Sequence, residues 1–166
     1  MSNAVSATGI LVQRALLATP TVFVDIGEIT QVTPPGFSRN KLEASNHNEG
    51  VEAYVLGILR QKDPTFTINY VGDDVTHASL VADIMGNVKN VWNVLFPSGV
   101  SFTGEGYIQQ FELADAPVDA IQQANCTISW AGIVTFDDGT GVVLDAFAER
   151  NRKAAEREEA AGSKRK

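Results

Sequence analysis

The sequence has very little cysteine or histidine. Its 166 residues include one cysteine, Cys126, and two histidines, His47 and His77. A single cysteine excludes a disulfide framework and fits a reducing compartment. No two of these three side chains have metal-ligand spacing, and no nucleophile stands beside a recognisable base. We therefore predict no metal site, no cofactor and no catalytic residues, and so no enzyme.

Long hydrophobic runs are also missing. The apolar run near the N-terminus, GILVQRALLA, is interrupted by Gln13 and Arg14. It is shorter than the ~18 apolar residues that a membrane span requires, and it lacks the basic start and the cleavage pattern of a signal peptide. The sequence predicts neither a membrane segment nor export.

Basic residues are absent from a long part of the chain. Between Lys89 and Arg150 there is no lysine or arginine, whereas residues 1–148 contain six basic and sixteen acidic side chains, a net charge of −10. Residues 149–166 carry a net charge of +3, which gives −7 for the whole chain. Proteins that bind DNA neutralise phosphates with lysine and arginine, so this composition argues against ordinary DNA binding.

Alternating apolar residues predict several β-strands. One strand or two short ones are expected in TVFVDIGEITQV, residues 21–33, and another in TFTINYV, where Phe66, Ile68 and Tyr70 share a face. A hairpin is expected around Pro97-Ser98-Gly99, with Gly104 and Gly106 marking a bulge or a close backbone approach. After a turn at Ala116-Pro117, a last long strand places Ala124, Cys126, Ile128 and Trp130 on one face.

One helix is predicted in DDVTHASLVADIMGN. Asp74 or Thr76 would cap its start, and Gly86-Asn87 would end it. The spacing predicts an apolar stripe of Leu80, Val81, Ile84, Met85 and Val88, and a solvated His77 in the first turn.

These elements predict a mainly β fold, an antiparallel β-sandwich or barrel-like domain with one flanking α-helix. We expect residues 1–20 to be an N-terminal arm, residues 21–145 the β domain, and residues 146–166 a charged tail. The polar stretch GFSRNKLEASNHNEG, residues 36–50, shows no strand or helix period and is predicted to be a long loop.

The order of these elements resembles that of the tail tube (major tail) proteins of long-tailed bacteriophages. The resemblance covers residues 20–136 and rests on a Pro-Gly exit into a polar loop, the FPSG hairpin turn, and the Pro-Val-Asp turn before the last long strand. It implies subunits that close into six-fold rings, and rings that stack into a tube through which DNA passes without specific binding. The implied partners are further copies of the chain and the tail tip or baseplate, tape measure and tail terminator proteins. The implied location is the virion tail, with the host cytoplasm during assembly.

In this family the polar loop reaches from one ring to the next, so the resemblance implies that residues 36–62 form an inter-ring arm. Its basic side chains would set the register and its apolar ones, including Ile58 and Leu59, would supply affinity. The expected contact residues are Arg39, Lys41, Leu42, Val55, Leu56, Arg60 and Lys62.

A tube that conducts DNA is also expected to repel it, since a basic lining would hold the phosphates in place. As a hypothesis, some of the following acidic residues face the lumen: Glu28, Glu105, Glu112, Asp115 and Asp119.

Two alternatives remain open. A tube protein of a contractile tail or of a type VI secretion system would share the architecture. A monomeric β-sandwich binding module would instead expose clustered aromatic side chains, whereas these fall at alternating positions expected of a core: Phe66, Tyr70, Trp92, Phe111 and Trp130.

Overall fold

A computed structural model describes residues 8–43, 54–115, 120–140 and 143–144. This part of the chain contains one helix, α1 (Val75–Gly86). It also contains eleven strands: β1 (Leu11–Leu16), β2 (Val24–Asp25), β3 (Ile29–Thr33), β4 (Gly36–Glu43), β5 (Tyr54–Lys62), β6 (Thr65–Asn69), β7 (Asn90–Leu95), β8 (Ser101–Leu113), β9 (Gln123–Trp130), β10 (Thr135–Asp137) and β11 (Val143–Leu144). The mainly β fold with one helix is confirmed for these residues. Within the described ranges, no helix is long and apolar enough to cross a membrane.

The main sheet is antiparallel and curls back on itself. Its strand order is β2-β1-β7-β8-β9-β6-β3, with β10 paired to the start of β8 and to β11. The first and last strands of this order are joined by three residues, 26–28. Ile26 N–H donates to the Val12 carbonyl on β1 (2.9 Å), and Asn69 N–H on β6 donates to the Glu28 carbonyl (2.9 Å). The barrel-like closure is therefore made by the short link between β2 and β3.

The core fills the concave side of this sheet. Alternation along each strand turns one set of side chains inward, as on β9, where Ala124, Cys126 and Ile128 are buried and Asn125 is exposed. The buried cluster consists of Val12, Ile26, Phe66, Ile68, Leu80, Trp92, Ile108, Ala124, Cys126 and Ile128. All of the five aromatic residues named above either belong to this cluster or pack against it. They do not form the exposed aromatic patch expected of a binding module.

The helix begins as predicted. Asp74 is its N-cap, accepting hydrogen bonds from the backbone N–H of Thr76 (2.7 Å) and His77 (3.4 Å). These bonds, together with the Thr76 hydroxyl, lower the pKa of Asp74. Asn87, in the left-handed conformation (φ 49°), ends the helix.

Two expectations about the helix surface are wrong. His77 is buried, not solvated: its Nδ1 lies 3.1 Å from the Val71 nitrogen and its Nε2 lies 3.1 Å from the Gly27 oxygen. Met85 and Val88 are 84% and 40% exposed. The inward stripe runs through residues 77, 80, 83 and 84, because the helix presents to the sheet a face rotated from the predicted one.

The boundary at residue 20 is also corrected. Strand β1 lies inside the sheet between β2 and β7, and its Val12 and Ala15 are 1% and 2% exposed. Residues 11–16 therefore belong to the β domain and not to an arm. The predicted tail, residues 146–166, lies outside the described residues, as does the predicted turn at 116–117.

The two glycines of β8 confirm the close approach predicted for them. A Cβ on Gly106 would lie 2.7 Å from the Ser129 carbonyl oxygen, and one on Gly104 would lie 3.0 Å from the Trp130 ring. The predicted hairpin turn is present as well, with Gly99 at φ 89°.

The polar stretch is not a structureless loop. Residues 36–43 form β4, which pairs with β5 from Gly36↔Lys62 to Glu43↔Tyr54 as a separate two-stranded sheet. The sequence lacks a strand signal in β4 because residues 37–43 are exposed on both faces of the strand, so apolar and polar residues need not alternate.

Candidate functional site

The hairpin arm, defined as β4 and β5, is attached to the main sheet at its base. Phe37 packs against Phe102 of β8, with ring centroids 5.9 Å apart. Asp63 directly follows β5, and its carboxylate accepts hydrogen bonds from the Trp130 N–H (3.2 Å) and the Ser129 hydroxyl (3.4 Å) on β9. Both strands of the arm are therefore held at its base by β8 and β9, while the arm forms a sheet of its own.

The arm exposes large apolar side chains. Ile58 is 85% exposed, and Leu42, Val55 and Leu56 are between 53% and 67% exposed, whereas Leu59 is half-buried. Several large apolar side chains exposed on one short element are typical of an interaction surface. The residues predicted as apolar contacts therefore lack a partner surface within the described part of this chain.

The predicted contact residues lie on both faces of the arm. The register places Arg39, Lys41 and Leu56 on one face, and it places these four on the other: Leu42, Val55, Arg60 and Lys62. A bulge between Arg39 and Lys41 bends the ladder. A partner that touched all seven would therefore have to enclose the arm, not cover one side of it.

Two of the arm's cations are oriented by contacts within it. The Arg39 guanidinium donates to the Gly57 carbonyl (3.2 Å), and the Lys41 ammonium lies 3.5 Å from the centre of the Tyr54 ring. The described arm carries four basic side chains and one acidic one, Glu43. It is thus a basic projection from an acidic chain.

The convex side of the main sheet forms a second surface, the polar face, defined by the outward residues of β7, β8, β9 and β6. Side-chain amides and hydroxyls form a row across the strands: Gln13 donates to Asp25 (2.7 Å), Asn93 donates to Gln13 (2.8 Å), and Thr103 donates to Asn93 (3.1 Å). The row continues on the other flank, where Thr67 donates to Asn125 (2.9 Å). This surface is polar and presents few charges.

The structure places two of the five predicted lumen residues on the same face of one strand. Glu105 and Glu112 both point outward on β8, where Glu105 pairs with Lys89 (2.7 Å) and Glu112 accepts from Gln110 (2.8 Å). The Glu105 carboxylate raises the pKa of Lys89. Glu28 lies apart, in the β2–β3 link at φ 57°.

A third surface, the acidic corner, lies where β8 ends. It comprises two exposed carboxylates and three exposed apolar side chains: Val71, Asp73, Leu113, Asp115 and Ile121. Backbone hydrogen bonds from Ala114 N–H to the Gln123 carbonyl (2.8 Å) and from Tyr70 N–H to the Gln122 carbonyl (2.7 Å) hold its three segments together. Of these residues only Asp115 was singled out from the sequence, and Asp119 lies outside the described residues. Nothing local signals the others, because they come from three distant segments.

The chain's one thiol is not available for chemistry. Cys126 is 1% exposed, and burial raises its pKa to about 12. Within the described residues, no three histidine, cysteine or acidic side chains are grouped as a metal site.

No family model matches the sequence, and no curated protein matches it. Solved structures do match. A chain of the anti-feeding prophage (AFP) baseplate, determined with 6-fold symmetry, superposes with a TM-score of 0.68 at 9% identity, covering 84% of this chain and 99% of that one. A chain from the tail of an empty gene transfer agent (GTA) particle, refined with C6 symmetry, gives 0.68 at 13% identity, with 81% and 99% covered.

The tail tube of SPP1 gives a TM-score of 0.59 at 10% identity, covering 77% of this chain and 76% of that one. At these identities the likeness concerns the fold, and it confirms the resemblance predicted from the sequence at that level. The chain therefore has the fold of phage-type tail tube and baseplate proteins.

Proposed function

We propose that this protein is a structural subunit that self-assembles into stacked hexameric rings and so builds a phage-type tail tube. The observation that carries the proposal is the shared fold with a tail chain refined under C6 symmetry, over 81% of this chain. Its role is mechanical and not enzymatic. Its partners are further copies of itself, the tail tip or baseplate, the tape measure protein and the tail terminator, first in the host cytoplasm and then in the virion.

The hairpin arm supports self-assembly. An isolated two-stranded hairpin is marginally stable in water, and unpaired strand edges invite pairing with another chain. Here β4 and β5 pair only with each other among the described strands, and Ile58 at 85% and Leu56 at 67% exposure remain in water. A neighbouring subunit that covered the arm would pair its open strand edges and remove its apolar side chains from water. This agrees with its proposed role as the inter-ring contact.

The polar face suits the lumen. It offers amides, hydroxyls and the carboxylates of Glu105 and Glu112, and the one cation beside it among the described residues, Lys89, is neutralised by Glu105. Such a lining offers phosphates no unpaired cation within the described part of the chain, and acidic groups within a Debye length of about 8 Å keep DNA away from the wall. In this proposal DNA passes through the tube to the host without specific binding.

Electron microscopy and light scattering test the proposal. We expect the purified protein to form rings or hollow tubes with a six-fold end-on view at high concentration, or after addition of tail tip proteins. The Leu42→Ser/Leu56→Ser variant should abolish tubes while leaving the melting temperature unchanged, because both side chains are exposed. Met85→Ser is the matched control, since Met85 is 84% exposed but lies outside the arm. A chain that stays monomeric with tail tip proteins present would favour a monomeric β-sandwich binding module.

A tube of a contractile tail or of a secretion system would share this architecture and is the second candidate. The two differ in the outer surface, which in a contractile system must hold a sheath. Co-assembly with a sheath protein would identify that case.

A further inference from the structure

The arm and the acidic corner lie at opposite ends of one strand. Phe102, near the start of β8, contacts the arm through Phe37, and Leu113 ends the same strand. A strand advances about 3.3 Å per residue, so the base of the arm lies on the order of 35 Å along β8 from the corner. The two surfaces are thus attached at opposite ends of the subunit's longest strand, an arrangement that suits contact between two copies.

Their chemistry is complementary. One face of the arm combines the exposed side chains of Val55 and Ile58 with Arg60 and Lys62. The corner combines exposed Leu113 and Ile121 with the carboxylates of Asp73 and Asp115. Opposite charges around apolar centres favour one docking register, and burial of the apolar side chains supplies the affinity.

Two other exposed surfaces fit the arm less well. The outer side of α1 exposes Val75 and Met85, but the helix's acidic residue, Asp83, is buried. The polar face has carboxylates already engaged by Lys89 and Gln110, and it lacks exposed large apolar side chains among its described residues. Of these three surfaces, the corner alone combines exposed large apolar side chains with exposed carboxylates.

We propose that the arm of one copy docks on the acidic corner of a second copy, in a head-to-tail contact that fixes the polarity of stacking. The proposal rests on the proposed tube function and identifies the receiving surface for the arm. Because the two patches differ and lie at opposite ends, the contact is heterologous and propagates along an axis instead of closing on a dimer.

Cysteine cross-linking tests this directly. The wild-type chain should not react with a maleimide, because Cys126 is buried and burial raises its pKa to about 12. Ile58→Cys and Ile121→Cys variants, at positions 85% and 69% exposed, are assembled alone and as a mixture, then treated with a short bis-maleimide. We expect a cross-linked dimer in the mixture and in neither variant alone. The double variant Ile58→Cys/Ile121→Cys should give a ladder of multimers.

Met85→Cys is the control, being 84% exposed on α1. If tubes form and Ile58→Cys cross-links to Met85→Cys or to itself, and not to Ile121→Cys, the docking proposal is overturned while the tube function stands. A chain that gives neither assemblies by microscopy nor any cross-link overturns both.

Charge reversal provides a second readout that needs no cysteine. Asp73→Lys/Asp115→Lys should leave single rings but no tubes, and adding Arg60→Glu/Lys62→Glu to the same chain should restore tubes. Normal tubes from the first variant would refute the proposed contact.

Discussion

Arg14 on β1 and Asp83 on α1, 69 residues apart in sequence, form a two-pronged ion pair. The Arg14 Nε donates to Asp83 Oδ2 (2.5 Å), and its Nη2 donates to Oδ1 (2.7 Å). Asp83 is 4% exposed and also accepts from the Asn90 side-chain nitrogen on β7 (2.8 Å). One carboxylate thus joins the helix to two strands of the sheet and fixes the helix in place.

Loss of this pair should destabilise the fold. Arg14→Met retains apolar volume but leaves the Asp83 carboxylate with Asn90 as its remaining partner. We expect the free energy of unfolding in urea to fall by about 3 kcal/mol, since a buried charge that loses its partner is costly. Lys89→Met is the control: it breaks the exposed pair with Glu105 and should not shift the midpoint measurably. Equal shifts in both variants would contradict this account.

The helix N-cap should make part of the stability depend on pH. The pKa of Asp74 is lowered in the folded state by its bonds to Thr76, so its contribution is present above the unfolded value and lost as the pH falls through the folded one. Asp74→Ala should lower the melting temperature by about 2–4 °C at pH 7. The difference from wild type should shrink at pH 3. Asp73→Ala, which removes a neighbouring carboxylate that caps nothing, should show no such pH-dependent difference.

Gly106 should not tolerate a side chain. The Cβ of Gly106→Ala would lie 2.7 Å from the Ser129 carbonyl oxygen, a backbone atom that cannot turn away. Overpacking of this kind typically costs about 1–3 kcal/mol, to be measured by urea unfolding. Gly72→Ala, where nothing lies within 4 Å, is the matched control and should be neutral. A neutral Gly106→Ala would show that β8 and β9 can separate without cost.

Reversal of charge on the polar face should affect DNA passage and not assembly. If the proposed function holds, particles with Glu105→Lys/Glu112→Lys should contain intact tubes and eject DNA more slowly, because added cations retain phosphates. Glu105→Gln/Glu112→Gln separates loss of negative charge from gain of positive charge. Ejection at the wild-type rate from the lysine variant would argue against these residues facing the lumen.

The sequence by itself determined the strands whose two faces have different surroundings. Phe66, Ile68, Cys126 and Ile128 alternate with polar residues because one side of each strand meets the core and the other meets water. The cap at Asp74 and the turn at Gly99 were equally readable, since both depend on a few neighbouring residues. The fold class followed from these local signals.

Only the tertiary structure decided which residues meet across the chain. His77 is buried because the link between β2 and β3 carries the Gly27 carbonyl to its ring, and no local pattern encodes that approach. Strand β4 carries no strand pattern in the sequence because residues 37–43 face no core within the subunit. The acidic corner needed Asp73 and Asp115 to be brought together from distant segments. The local pattern of apolar residues indicates which face of a strand or helix is buried. Closure of the main sheet and the positions of the arm and the acidic corner depend instead on pairing between residues far apart in the sequence.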